Sequence, residues 1–252
     1  HGGNLAGLFS WTVDGGAGLD DLLVAVSRSG DVLPYQGSDP ETAEGWDLVG
    51  TYYIGTLPRG PHFGTEHGGE LFLLSTFMNQ LLQGVDSEAM QSNVEGSSVS
   101  LRISGIIRTK LQRTGTEYGW AIRLIPSEGG VLVMSPTIGS AAPLQYYYSV
   151  AANAWGLWRD VPMTAFTNWR GEVMLGDKDA RVMRMDTTVD NLLITPPEPI
   201  NGSDIEFSIL TSFSSIDSPG VYKRVKLIRP DFLANIRPTF TNVARYDYQL
   251  EE

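Results

Sequence analysis

Two histidines and a glutamate, His62, Glu66 and His67, form the densest group of metal-type ligands in the chain. A helical zinc motif needs its two histidines four residues apart, on one face. Here they stand five apart, with Pro61 and Gly64 close by. That spacing gives no common helical face, so the group reads as ordinary loop or strand residues and no metal ligand is assigned.

Glycoside cleavage would need a pair of carboxylates across a pocket. Residues 11–16, Trp-Thr-Val-Asp-Gly-Gly, and the turn at 27–31, Ser-Arg-Ser-Gly-Asp, resemble the acidic turns of propeller glycosidases, yet neither completes such a box. Asp and Gly are ordinary at hairpin tips because both tolerate positive φ. Asp20, Asp21 and Asp31 are therefore expected in turns. No phosphate loop, dinucleotide fingerprint or Gly-x-Ser-x-Gly elbow occurs, and the serines have no histidine base nearby in sequence. With no Cys in the chain, disulfides, thiolate metal sites and cysteine nucleophiles are excluded, while the compartment stays open. No catalytic residue and no cofactor-binding residue is assigned; the expected class is not an enzyme.

Two further groups could bind rather than react. The basic run 222–229 contains Lys223, Arg224, Lys226 and Arg229. Strand alternation would turn Val225 and Leu227 inward and Arg224 and Lys226 outward, which fits a solvated strand or protein interface better than a phosphate grip. The aromatic residues Tyr52, Tyr53, Tyr146, Tyr147, Tyr148, Trp155 and Trp158 could stack on sugars. In strands such residues more often fill the space between sheets, and the core reading is preferred.

The elements that would carry these residues are short strands. Gly (28) and Pro (14) supply one residue in six of the 252, as many tight turns require. An apolar strand, a polar turn and a second strand recur four times. The copies begin at 22–26 with 32–35 and 46–54, at 70–75 with 81–85, at 131–134 with 144–150 and 155–158, and at 172–176 with 181–186. The step from Leu22 to Trp46 equals that from Val131 to Trp155, 24 residues in each case, so the two tryptophans are expected at equivalent places. Sheets repeated around an axis bury both faces against their neighbours, which allows inner strands that are apolar throughout. The expected fold is all-β: a β-propeller over 1–194 with one short helix near 97–111, where Val99, Ile103, Ile106, Ile107 and Leu111 fall near helical spacing. Beyond the proline-rich link 195–199, residues 195–252 are expected to form a C-terminal β module that closes or flanks the propeller.

The net charge of -11 opposes a nucleic-acid grip built on clustered Lys and Arg. The longest apolar runs, 22–26 and 131–134, are strand-length, so no membrane-spanning helix is expected. The chain opens at His1 with neither a Met nor a signal-like segment, which suggests a fragment or a processed start.

The ordered stretch 20–40, followed by 46–50 and 55–60, resembles the best-marked blade of the β-propeller tail proteins of short-tailed bacteriophages, the hub or nozzle at the end of the DNA channel. Segments 68–75, 153–155, 170–176, 212–214, 222–225 and 229–230 continue the resemblance in similar order. It implies a structural virion protein of the phage tail, present in the host cytoplasm during assembly. It also implies a homo-oligomeric ring, possibly a hexamer, meeting portal, adaptor and other tail proteins and tail fibres or spikes. DNA would pass the channel without sequence-specific binding, helped by an acidic lumen. The rival expectations are a propeller glycosidase or lyase and a glycan- or receptor-binding module.

Overall fold

The computed structural model describes residues 2–14, 19–42, 45–67, 69–76, 82–85, 99–100, 103–139, 144–185, 208–209 and 241. The chain divides into two compact units, His1–Asp186 and Thr187–Glu252. The link at 195–199, the basic run 222–229 and nearly all of the expected C-terminal module lie outside the described residues.

The first unit is built from antiparallel sheets laid down one after another along the chain. The first sheet runs β1 (Leu5–Asp14), β2 (Leu19–Ser27), β3 (Asp31–Gly37) and β4 (Trp46–Leu48), with β5 (Tyr52–Tyr53) also paired to β3. The second is β6 (Gly64–His67), β7 (Glu70–Leu74) and β8 (Leu82–Val85). One helix follows, α1 (Ser104–Thr114). The third sheet is β9 (Ala121–Ile125), β10 (Gly130–Met134), β11 (Leu144–Ser149) and β12 (Ala154–Arg159). The fourth is β13 (Ala165–Trp169), β14 (Glu172–Gly176) and β15 (Val182–Arg184). The described fold is all-β with one short helix.

The turns follow from their residues. Between β2 and β3, the Ser27 hydroxyl accepts the Asp31 backbone N–H at 3.0 Å and donates to the Asp31 carboxylate at 3.0 Å. Gly30 takes φ +98°, and a Cβ there would lie 1.9 Å from the Gly55 carbonyl oxygen, so both conformation and close approach require glycine. Between β14 and β15, one carboxylate oxygen of Asp177 accepts the N–H groups of Asp179 (2.8 Å) and Arg181 (2.9 Å). The Arg181 side chain binds the other oxygen at 2.6 Å.

Packing explains why some strands are apolar on every residue. All five residues of β10 are buried. Val131 and Val133 join Ile122, Tyr146 and Tyr148 in one core, whereas Leu132 and Met134 join Met163, Phe166, Val173 and Leu175 in another. Alternation sends successive side chains to opposite faces, and here both faces are covered. In β7, Leu71, Phe72, Leu73 and Leu74 are likewise buried. Phe72 meets Tyr148 of the third sheet at 6.1 Å between ring centroids, while Leu73 and Phe9 of the first sheet both crowd Gly64. The sheets therefore stack in chain order, with the second and third covered on both sides.

Several expectations are corrected. The helix lies at Ser104–Thr114 rather than 97–111; Ile107 is fully buried, Ile103 and Leu111 pack at the core edge, and Ile106 is exposed. The expected strand 46–54 is divided into β4 and β5. Asp20 and Asp21 lie within β2, not in a turn. Four strands were not expected at all: β1, β6, β9 and β13, the first strand of each sheet. Trp46 and Trp155 do occupy corresponding elements, since β4 and β12 each come fourth in their sheets.

Candidate functional site at the meeting of the first strands

The unexpected first strands lie beside one another. Phe9 of β1 packs edge-on against Phe63, just ahead of β6, at 5.4 Å, and the Trp11 indole donates to the Gly69 carbonyl at 2.6 Å. Residue His62 forms a parallel bridge with Ala121, its carbonyl accepting the Ile122 N–H at 2.9 Å. The free edge of β9 is then held from two sides. Thr65 of β6 accepts the Leu124 N–H through its hydroxyl at 3.3 Å, and Asn168 of β13 donates its amide to the Leu124 carbonyl at 2.9 Å.

At this junction the Arg123 guanidinium comes within 2.7 Å of the His62 ring at Nε2. The arginine must donate, so Nε2 accepts and the imidazole is neutral there. Burial, and then the neighbouring Arg123 charge, hold the His62 pKa below its ordinary value of 6.5. The pair can donate hydrogen bonds and present positive charge.

The other sequence-derived candidates are dispersed. Glu66 is exposed on β6 and His67 ends that strand; among the described residues no three His, Asp or Glu side chains gather as a metal site would need. Asp21 accepts the Thr12 hydroxyl at 2.7 Å, and Asp31 is engaged by Ser27 at the far end of the β2–β3 hairpin. Six residues of strand separate their cross-strand positions, roughly 20 Å, so they make no catalytic pair. Trp11 is buried in β1.

The aromatic residues are largely built into the fold. Tyr146 and Tyr148 are buried. Tyr148 packs on Trp155 at 5.1 Å, and Tyr147 stacks on Trp158 at 5.4 Å. The Tyr147 hydroxyl donates to the Glu128 carbonyl at 2.7 Å, and the Trp155 indole to the Val99 carbonyl at 2.9 Å. Sequence reasoning passed over Arg123 and Trp169. Trp169, at the β13–β14 turn, is 60% exposed with the Arg170 guanidinium 5.6 Å from its ring centre. Arg123 could have been noticed as a charge inside the apolar stretch 121–125, the usual sign of a strand edge.

Fold and site thus define an all-β protein of successive, face-packed antiparallel sheets, with a basic pair where the second and third of them meet. No family model matches the chain. It is similar to tyrosine–tRNA ligases of Synechococcus sp. (strain CC9605) and Parasynechococcus marenigrum (strain WH8102), at 30% identity over 115 residues in each case. The match covers 42% of this chain, and 28% of each ligase. The chain therefore spans little more than a quarter of the length of those curated relatives.

Proposed function

We propose that the four sheets are consecutive blades of a β-propeller and that the chain is a structural component of a bacteriophage tail, a hub or nozzle around the DNA channel. The observation that carries the propeller reading is the row of first strands, β1, β6, β9 and β13, from which the sheets stack in chain order. Blades arranged around an axis bury both faces in this manner. The tail role rests on the ordered sequence resemblance from residue 20 to residue 230. Rigid blades would supply the wall, loops would meet portal, adaptor and fibre or spike proteins, and an acidic lumen would let DNA pass unbound.

Light scattering of the purified protein at modest salt, beside a negative-stain image of the same sample, tests this role. A ring with a central channel is the expected result, and a monomer at every concentration tried would count against it. The glycan-binding alternative asks for an exposed platform at Tyr146–Tyr148 or Trp155. Burial of Tyr146 and Tyr148 leaves that reading second, and binding on a glycan array would revive it.

A further inference from the structure

Arg123 differs from every other arginine described with its side chain. The rest are exposed, whereas Arg123 is half-buried. Arg181 and Arg184 have carboxylate partners, but among the described residues the polar group that meets the Arg123 side chain is the neutral ring of His62. Its Nε is shut off from solvent and has no acceptor among the described residues. A charge withdrawn from water is costly unless a counter-charge or hydrogen-bond acceptor compensates it. An unsatisfied buried donor of this kind calls for a specific explanation.

The neighbouring groups have donors to spare. The Thr65 hydroxyl uses a lone pair on the Leu124 N–H, so its own proton is uncommitted by that bond. The Asn168 amide spends one proton on the Leu124 carbonyl and retains a second. With His62 Nε2 accepting, the ring's proton sits on Nδ1. Donors just ahead of β6, on β6 and on β13 thus lie beside residues 123 and 124, and the one full charge among them is positive.

We propose that Arg123, with His62 beside it, binds a tetrahedral oxyanion of the phosphate class where the first strands of the second and third sheets meet. The guanidinium supplies the charge-assisted hydrogen bonds, and the donors contributed by several strands suit an anion with oxygens in more than two directions. This inference stands whether or not the chain assembles into a ring.

The test is NMR titration of the His62 ring in the intact chain, with His62 assigned by the loss of its signals in His62→Gln. Inorganic phosphate is compared with chloride at equal ionic strength, and a short oligodeoxynucleotide with both. Bound phosphate should raise the His62 pKa, because an anion favours the protonated ring. Arg123→Gln should weaken phosphate binding roughly 10- to 100-fold, as expected for loss of charged hydrogen bonds, while Arg28→Gln, at the exposed β2–β3 turn of the first sheet, should leave it unchanged. A response to phosphate identifies the free anion as sufficient, and a response to the oligonucleotide alone identifies a phosphodiester; each supports the site. If neither shifts His62 beyond chloride, or if Arg123→Gln binds as the parent does, the proposal is overturned. Should Arg123→Gln fail to fold, Arg123→Lys takes its place: it keeps the charge but loses the fork, and must weaken binding.

Discussion

His62 is where one residue's chemistry reaches the whole unit. Its pKa is lowered by burial and then by Arg123, so the unfolded chain takes up the proton at a higher pH than the folded one does. The stability this provides is fully present above 6.5, the ordinary value, and is lost as pH falls through the folded value. Urea midpoints measured from about pH 7 down to about pH 5 should therefore decline, and His62→Gln should flatten that decline. Asp177 behaves analogously in a more acidic window. The Arg181 backbone N–H, then the Arg181 side chain and the Asp179 N–H, hold its carboxyl below 3.8, against an opposing effect of desolvation. Its contribution is present above that value and lost as pH falls further. Asp177→Ala should accordingly raise amide exchange in the β14–β15 turn at neutral pH. Tyr146 makes the opposite case: its hydroxyl is buried without a partner among the described residues, and burial pushes its pKa up to about 12. Since that hydroxyl gives up hydration and gains no bond, Tyr146→Phe should leave stability within about 0.5 kcal/mol or increase it, as chemical denaturation would read.

At the scale of elements, hydrophobic pattern located the strands that are covered on both sides. Residues 131–134 and 70–75 are continuous or nearly continuous apolar runs, and they became β10 and β7. The first strands escaped notice because they mix edge and core. β6 reads Gly-Thr-Glu-His, and in β13 only Phe166 is buried. Such strands are stabilised by neighbouring sheets, a context that alternation within five residues does not encode. Helix α1 was placed several residues early because Val99 and Ile103 continue its apolar spacing toward the N-terminus. Val99 instead lies in a turn, and its carbonyl accepts the Trp155 indole. The helix docks through Ile107, which is fully buried. Ile107→Ala should cost about 2–5 kcal/mol in denaturation midpoint experiments, whereas Ile106→Ala, on the exposed face, should change little.

A ring seen by scattering and imaging would make the first strands candidates for the channel wall, and Arg123 would then be a basic point on an otherwise acidic chain. The Gly30→Ala variant probes how closely the β2–β3 turn packs on the chain leaving β5: with φ +98° and a Cβ placed 1.9 Å from the Gly55 carbonyl, it should destabilise the unit by roughly 1–3 kcal/mol. By itself, the sequence determined the strand-rich class, the turn at 27–31, the hairpin of 172–176 with 181–186 and the correspondence of Trp46 with Trp155. Each of these depends on local chemistry: β-forming runs, turn residues and a repeated spacing. Only the tertiary structure decided that first strands lie side by side, that Tyr146 and Tyr148 fill a core, and that Arg123 meets His62 across 61 residues of chain. Those outcomes depend on which sheet faces pack and which edges meet. Such long-range pairings are fixed by burial and hydrogen bonding between distant segments, and the order of residues within any one segment does not contain them.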